Sequence, residues 1–450
     1  MGRRKIPITG NGPIAKLALA LRDLRESSGL TLRELAKLVG YSHSTLSSAE
    51  RGRMPPSWAV TEAFVNGCGA PSAEWKPMWT AATTVQAPDL VYPAATNGWV
   101  LAQLPSGAPG FVGRVYELAQ LCALAKSVSH DPYSPPLICT VEGMAGVGKT
   151  ALALQFAHLA AEQFSDGQLF VNTQGYCSGG TPLAPRDVLI HLLRGLGQHF
   201  VAAAMGLDEL ASIYRGLTAG KNLLIVLDDA QRADQVRAAI PGRGPGFVLV
   251  TSRNSLNGLV VRDGAFQIQL GGLPDDDSFA VLGQIMSQRV VDSDPEAAGQ
   301  LIELCGHLPL ALRIAAYHMT TKRYHSLAEL VAALASDEEC LDVLAVNGDE
   351  TASIRSTLSW SYRSLRSEVA SAFRVIGQSL GPEFNFGQAA GIIGGDPGDV
   401  QLLLRTLVDM NMLQELGGDQ YAVHRLVGLY ASERARDEEI AQHSAARRSG

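Results

Sequence analysis

The stretch Leu137–Phe156 places the tightest limit on what this chain can become: an apolar run, a glycine loop and then helix formers, introduced by Pro135 and Pro136. Within it Gly143, Gly148, Lys149 and Thr150 satisfy the pattern G-x-x-x-x-G-K-[ST]. That order reads as strand, loop, helix, with glycines letting backbone N–H groups turn inward and surround phosphate oxygens at a helix N-terminus. Gly146, Val147 and Ala151 complete the loop and its exit. Lys149 is the residue that reaches β- and γ-phosphates, and the Thr150 hydroxyl suits Mg2+. A nucleotide site is therefore the fixed point for reading the rest.

Helical and strand patterns alternate after this loop, which predicts an α/β doubly wound sheet. Leu169–Asn172 reads as a short strand and Leu189–Leu196 as a helix. Asn222–Asp228, NLLIVLD, is a wholly apolar strand ending in two carboxylates, Asp228 and Asp229. A buried central strand of this kind delivers Asp228 to a magnesium shell and places Asp229 to activate or orient water. The next apolar strand, Phe247–Val250, runs into Thr251, Ser252 and Arg253. A guanidinium at that strand end can pair with the γ-phosphate oxygens that hydrolysis removes.

A chain of 450 residues is expected to divide into about three domains, because single cores rarely grow past a few hundred residues. The net charge of −7 conceals an asymmetry. Residues 1–60 carry ten basic and four acidic side chains, a balance of +6, which leaves −13 for the remainder. A basic head on an acidic body suggests that the head binds nucleic acid. The six cysteines are scattered without C-x-x-C spacing, so neither a zinc site nor a disulfide framework is indicated. No apolar run is long enough to span a bilayer and no leader precedes the head, so a cytoplasmic protein is expected.

In the head, Leu17, Leu21 and Leu24 recur at helical spacing up to Ser27 and Gly29. Thr31 and Glu34 form a capping box for a second helix, which Gly40 stops, and Ser42 caps a short third one. The sequence LTLRELAKLVGYSHSTLSSAERGRMPPS resembles the Cro/repressor (XRE) type of helix-turn-helix, with Ala36, Gly40, Leu46 and Glu50-Arg51-Gly52 at that family's positions. In such a module the third helix lies in the major groove. The resemblance thus implies double-stranded DNA as partner, with His43, Ser44, Thr45 and Ser48 exposed to base edges and Arg33, Lys37, Arg51 and Arg53 meeting phosphates. Trp75, Pro77 and Trp79 read as a helical extension packed on the head, and the proline-rich stretch that follows reads as a linker that leaves the head free to move.

Taken in order, FVGR at Phe111–Arg114, GMAGVGKT, LLIVLDDA, VLVTSRN and CGHLPLAL at Cys305–Leu312 resemble the NB-ARC class of STAND ATPases, above all bacterial regulators related to the SARP proteins. The resemblance implies that Phe111, Val112 and Arg114 border an adenine and that Pro309 packs on the base from a helical lid. His307 stands where many members have Gly or Tyr. Gly417-Gly418 between apolar runs signals a hairpin, so the end of the chain resembles a winged helix. The family's winged helix folds back, and His424 would contact the diphosphate of bound ADP, while Arg425 replaces the usual acidic neighbour.

The expected architecture is multidomain. An all-α helix-turn-helix head with its extension covers 1–82, and a linker 83–110. An α/β P-loop domain covers 111–272, a helical lid 273–350, a winged-helix domain 351–435, and a helical tail 436–450. The expected function is a DNA-binding transcriptional regulator switched by ATP, ADP and Mg2+, which opens and oligomerises with itself. A separate sensor or effector protein is a further partner to expect, and any ATPase activity would be slow. Lys149, Asp229 and Arg253 would carry hydrolysis. The competing reading is a signalling or defence scaffold whose head recruits a protein instead of DNA.

Overall fold

The computed structural model describes residues 13–50, 56, 58–83, 101–129, 131–176, 181–198 and 205–449; the side chains of 13–14, 43–44, 83 and 441–449 are outside that description. The chain divides into two compact units, Met1–Thr96 and Asn97–Gly450.

The first unit is all-helical: Pro13–Ser27, Leu32–Val39, His43–Ala49, Trp58–Gly67 and Lys76–Thr83, with a 3-10 turn at Ser72–Trp75. Local chemistry sets the boundaries. The Thr31 hydroxyl accepts from the Glu34 N–H while the Glu34 carboxylate accepts from Thr31, and Gly40 closes the second helix at φ 73°. Ser42 caps the third helix by accepting from the Thr45 N–H. Leu17, Leu21, Leu35, Leu46 and Phe64 form the fully buried centre. The extension packs on this core through Trp79, whose indole N–H donates to the Pro56 carbonyl at 2.8 Å and whose ring meets Trp58 edge-on.

The second unit is built on a six-stranded, all-parallel sheet: β1 Leu101–Ala102, β2 Leu137–Glu142, β3 Gly167–Asn172, β4 Leu223–Ala230, β5 Phe247–Ser252 and β6 Phe266–Gln269. Their order is β1-β3-β4-β5-β2-β6. Buried on both faces, β4 and β5 read as continuous apolar runs, as parallel strands must. The helices Pro185–Gly195 and Leu207–Thr218 bury Leu189, Leu192, Leu210 and Tyr214 in one apolar layer with β3, β4 and β5. Val115–Lys126 and Lys149–Ala160 belong to the other.

That other layer does not stop at the sheet. It continues without a break through the lid helices Asp275–Met286, Pro295–Leu304, Pro309–Thr320 and Leu327–Ala335 into Ile354–Arg363, Ser367–Ser379 and Pro397–Asp409. A three-stranded antiparallel sheet, Gln414–Gly417, Gln420–Ala422 and Glu383–Asn385, makes the wing, turned by Gly417, Gly418 and Asp419 at positive φ.

Two expected boundaries are corrected. Residues 101–110 are not linker: Leu101 and Ala102 pair with Gly167 and Gln168, and the Pro105 carbonyl contacts His158 of the phosphate-loop helix at 2.8 Å. The rest of the expected linker, 84–100, lies outside the described residues. The expected tail is not separate either, because one helix runs from Arg425 to Ser449 across position 435. Among the described residues no helix is long and apolar enough to cross a membrane.

Candidate functional site

The loop after β2 turns at Gly143, Gly146 and Gly148, with φ of 149°, 80° and 95°. Any Cβ at Gly143 would lie 2.5 Å from the Leu270 carbonyl, so the first turn of the loop requires glycine. Gly148 then precedes the helix Lys149–Ala160, whose free N–H groups and dipole favour an anion. The Lys149 ammonium is buried and donates to the Gly143 and Met144 carbonyls, both at 2.8 Å. Burial, aided by the nearby Arg253 charge, lowers its pKa to about 7.

Asp228 at the end of β4 is held by two hydroxyls: Thr150 donates to Oδ1 at 2.8 Å and Thr251 to the same oxygen at 2.7 Å. Asp229 follows with the left-handed φ of 58°. Its Oδ2 accepts from the Tyr176 N–H at 2.8 Å, and its Oδ1 faces the Arg253 guanidinium at 3.6 Å. Burial raises the Asp229 carboxyl to about 6, against the opposing pull of Arg253. Arg253 leaves β5 and donates to the Thr357 carbonyl at 2.8 Å and the Ser361 hydroxyl at 3.3 Å. It also lies over the rings of Tyr176 and Trp360. Both Thr357 and Ser361 belong to Ile354–Arg363, a hundred residues further along the chain.

These groups line one cleft of about 450 Å³. Its lining includes the phosphate loop, Gly146–Ala151, with Asp229, Thr251 and Arg253; Pro309 and Leu310 lie against Gly148 and Gly146 of that loop, and Phe111, Val112, Leu273 and Val281 supply the remaining apolar wall. A volume of this size, with a cationic phosphate loop and an apolar wall, suits a nucleoside di- or triphosphate. Gly143 and Asp228 stand behind the loop, acting through Lys149 and Thr150.

The remaining expectations fall differently. Arg114 borders the cleft, but its guanidinium is engaged: it donates to the Val147 carbonyl at 3.2 Å, the Gly271 carbonyl at 2.5 Å and Glu117 at 3.0 Å. It is a brace between the phosphate loop and the exit of β6. His424 does not line the cleft. Its Nε2 is 2.8 Å from the Gly306 carbonyl, its Nδ1 accepts from the Leu426 N–H, and burial lowers its pKa so that the ring is neutral. Arg425 donates to the Leu304 carbonyl at 2.8 Å and the Leu334 carbonyl at 3.1 Å. The two residues thus fasten the last helix to the lid. His307 is flanked by Asp275 at 3.6 Å and Glu303 at 3.5 Å on the lid surface.

Tyr176, Thr251, Thr357, Ser361, Leu310 and Arg313 were not anticipated. For Thr251 there was a signal, a hydroxyl interrupting an apolar strand; for the others nothing local marks them.

In the head Arg33, Lys37 and Ser48 are exposed, whereas the Thr45 hydroxyl is shared with Ser42 at 2.8 Å. Glu50 is buried by Arg25, which makes a two-pronged pair with it, so the acidic residue of the Glu-Arg-Gly ending is structural. Arg51 and Arg53, and the side chains of His43 and Ser44, lie outside the described residues.

Two family models match the chain, a helix-turn-helix domain over residues 16–76 and an AAA ATPase domain over 110–240. The latter carries nucleotide binding with it. The chain is 35% identical over 332 residues to the regulatory protein AfsR of Streptomyces coelicolor, covering 73% of this chain and 33% of that protein. The chain therefore spans about a third of the length of this curated relative. It is 26% identical over 250 residues to the disease resistance RPP8-like protein 3 of Arabidopsis thaliana, covering 52% of this chain and 26% of that one. Its fold is similar to that of a Walker-type ATPase of Pyrococcus abyssi, with a TM-score of 0.51, 13% identity, and 73% and 98% of the two chains covered.

Proposed function

We propose that this relative of the AfsR regulators, with its helix-turn-helix and AAA-type ATPase domains, is a nucleotide-switched DNA-binding transcriptional regulator. ADP favours the closed form, and ATP an open one that associates with further copies. The reading is carried by one observation: Arg253, the cleft residue suited to a γ-phosphate, donates to Thr357 and Ser361 of the winged-helix segment. A third phosphate would compete for that guanidinium and loosen the hold on the winged helix. A ligand shifts such an equilibrium only through its differential affinity for the two states, and Arg253 supplies one.

Mg2+ suits the residues present. The Thr150 hydroxyl and Asp228 carboxylate are an all-oxygen, hard-donor pair beside the phosphate loop, and such ions are held by one or two protein oxygens together with phosphates. When bound, the ion neutralises phosphate charge. Asp229, near neutrality in its acid strength, can orient water or accept its proton, and Lys149 and the loop N–H groups hold the phosphates. In the head, Arg33 and Lys37 provide sequence-blind phosphate contacts and Ser48 a groove-facing hydroxyl. One such module reads half a site, so association of several copies converts weak contacts into avidity.

The test is to purify the chain, denature it, identify the nucleotide released, and determine its mass in solution with ADP and with ATP. Binding to promoter DNA by gel shift across a salt series completes it. ADP on a monomer, assembly with ATP and salt-sensitive DNA binding are expected. Nucleotide switching without any DNA shift would turn the reading to a scaffold whose head recruits a protein, and absence of nucleotide binding would overturn it.

A further inference from the structure

We infer that Arg313 is a binding residue for the ribose and base half of the nucleotide, giving affinity that does not depend on the number of phosphates. The inference rests on the nucleotide reading of the cleft.

The lid helix Pro309–Thr320 begins over the phosphate loop. The Leu310 N–H donates to the Gly146 carbonyl at 3.3 Å, and a Cβ on Gly148 would lie 3.7 Å from the Pro309 ring. Four residues on, Arg313 shares the face of Pro309 and lines the same cleft. There it meets the Pro109 carbonyl, next to Gly110, Phe111 and Val112 of the cleft lining. The helix thus runs along the cleft from the phosphate loop to the segment that carries Phe111 and Val112, and Arg313 marks the latter.

Of the cleft's other cationic side chains, Lys149 is hydrogen-bonded to two carbonyls. Arg114 braces the loop, and Arg253 is held by the winged-helix segment and Asp229. Arg313 is different. Its hydrogen bond to the Pro109 carbonyl, at 3.5 Å, is at the outer limit for such a bond, and the side chain is exposed. A guanidinium offers five N–H donors and a flat face that stacks on aromatic planes. Placed beside the apolar wall, it can donate to ribose hydroxyls or cover the base, and neither contact involves the terminal phosphates.

The experiment is isothermal titration of the nucleotide-stripped full chain with ATP and with ADP, in wild type, Arg313→Ala, Arg313→Lys and Arg253→Ala. Arg313→Ala should weaken both ligands by the same factor, roughly tenfold for one charge-assisted contact. Arg313→Lys should recover little, because its point charge lacks the flat fork. Arg253→Ala should change the ratio of ATP to ADP affinity, which the Arg313 variants leave unchanged. A loss confined to ATP, full recovery by lysine, or a change below about twofold for both ligands would overturn the assignment while leaving the nucleotide site intact. If wild type binds neither nucleotide, the underlying reading falls with it. As Arg313 is exposed, melting curves should show both Arg313 variants folded, and the curve of Arg253→Ala, whose side chain is buried, separates lost binding from lost fold.

Discussion

Replacing Lys149 with methionine should make the nucleotide-free protein more stable near pH 6 while abolishing nucleotide binding. Burial lowers this ammonium from 10.5 to about 7. At 1.36 kcal/mol for each pH unit, holding the charge inside costs the fold about 5 kcal/mol below pH 7. Two hydrogen bonds, to the Gly143 and Met144 carbonyls, are lost in the variant at about 1 kcal/mol each, leaving a gain of about 3 kcal/mol. Unfolding a unit of about 350 residues releases about 0.7 kcal/mol per degree at about 2.1 cal/mol/K per residue, so the melting temperature should rise by about 4 °C. The cost is fully present below the folded value of about 7 and has vanished above the unfolded value of 10.5, so wild type gains stability as pH rises between them. The assay is differential scanning fluorimetry of nucleotide-stripped protein from pH 6 to 10, repeated with ADP. A variant that melts at or below wild type at pH 6, or a difference that persists unchanged at pH 10, would refute the reasoning. ADP should raise the melting temperature of wild type and leave the variant unmoved.

Other expectations are as direct. Arg425→Ala removes donors to the Leu304 and Leu334 carbonyls and should cost about 2 kcal/mol and speed ADP release in stopped-flow fluorescence; unchanged release would show that the last helix does not restrain the lid. Asp229 has its carboxyl raised to about 6, so its ionisation lowers fold stability as pH climbs from about 4 to about 6, while slow ATP hydrolysis should rise through about pH 6. Asp229→Asn should flatten that rate profile, and a profile that keeps its rise assigns it to another group. Changing Arg33 and Lys37 together to glutamine should weaken binding to all duplexes alike and reduce the salt slope by about two. Weakening of one sequence only would place these residues on bases.

What could be read in the chain beforehand has a physical boundary. The phosphate loop, the apolar strands β4 and β5 and the Thr31–Glu34 cap declare themselves because each is fixed by residues close in sequence. β1 does not, since two residues in a proline-rich stretch have no period, and only the edge of β3 makes them a strand. Arg114 and His424 were legible as residue types at motif positions. The partners that fix their roles, Gly271 for Arg114 and Gly306 for His424, lie more than a hundred residues away. The tie from Arg253 to Thr357 was hidden for the same reason. At the tail the residues from Val427 to Ala446 read as helix-prone with no stop at position 435, so the helix was legible and only the domain boundary drawn through it was not.

The unbroken apolar layer that joins the sheet, the lid and the winged-helix segment bears on how such a chain would open. Leu308, Leu312, Ile354, Leu358, Val427 and Tyr430 are all buried in it. Parting these elements would bring hydrocarbon into water, so opening carries a positive heat-capacity change and its equilibrium bends with temperature as a partial unfolding does. An opened copy is also adhesive. The same side chains that keep one molecule shut would, once uncovered, be driven out of water against the next.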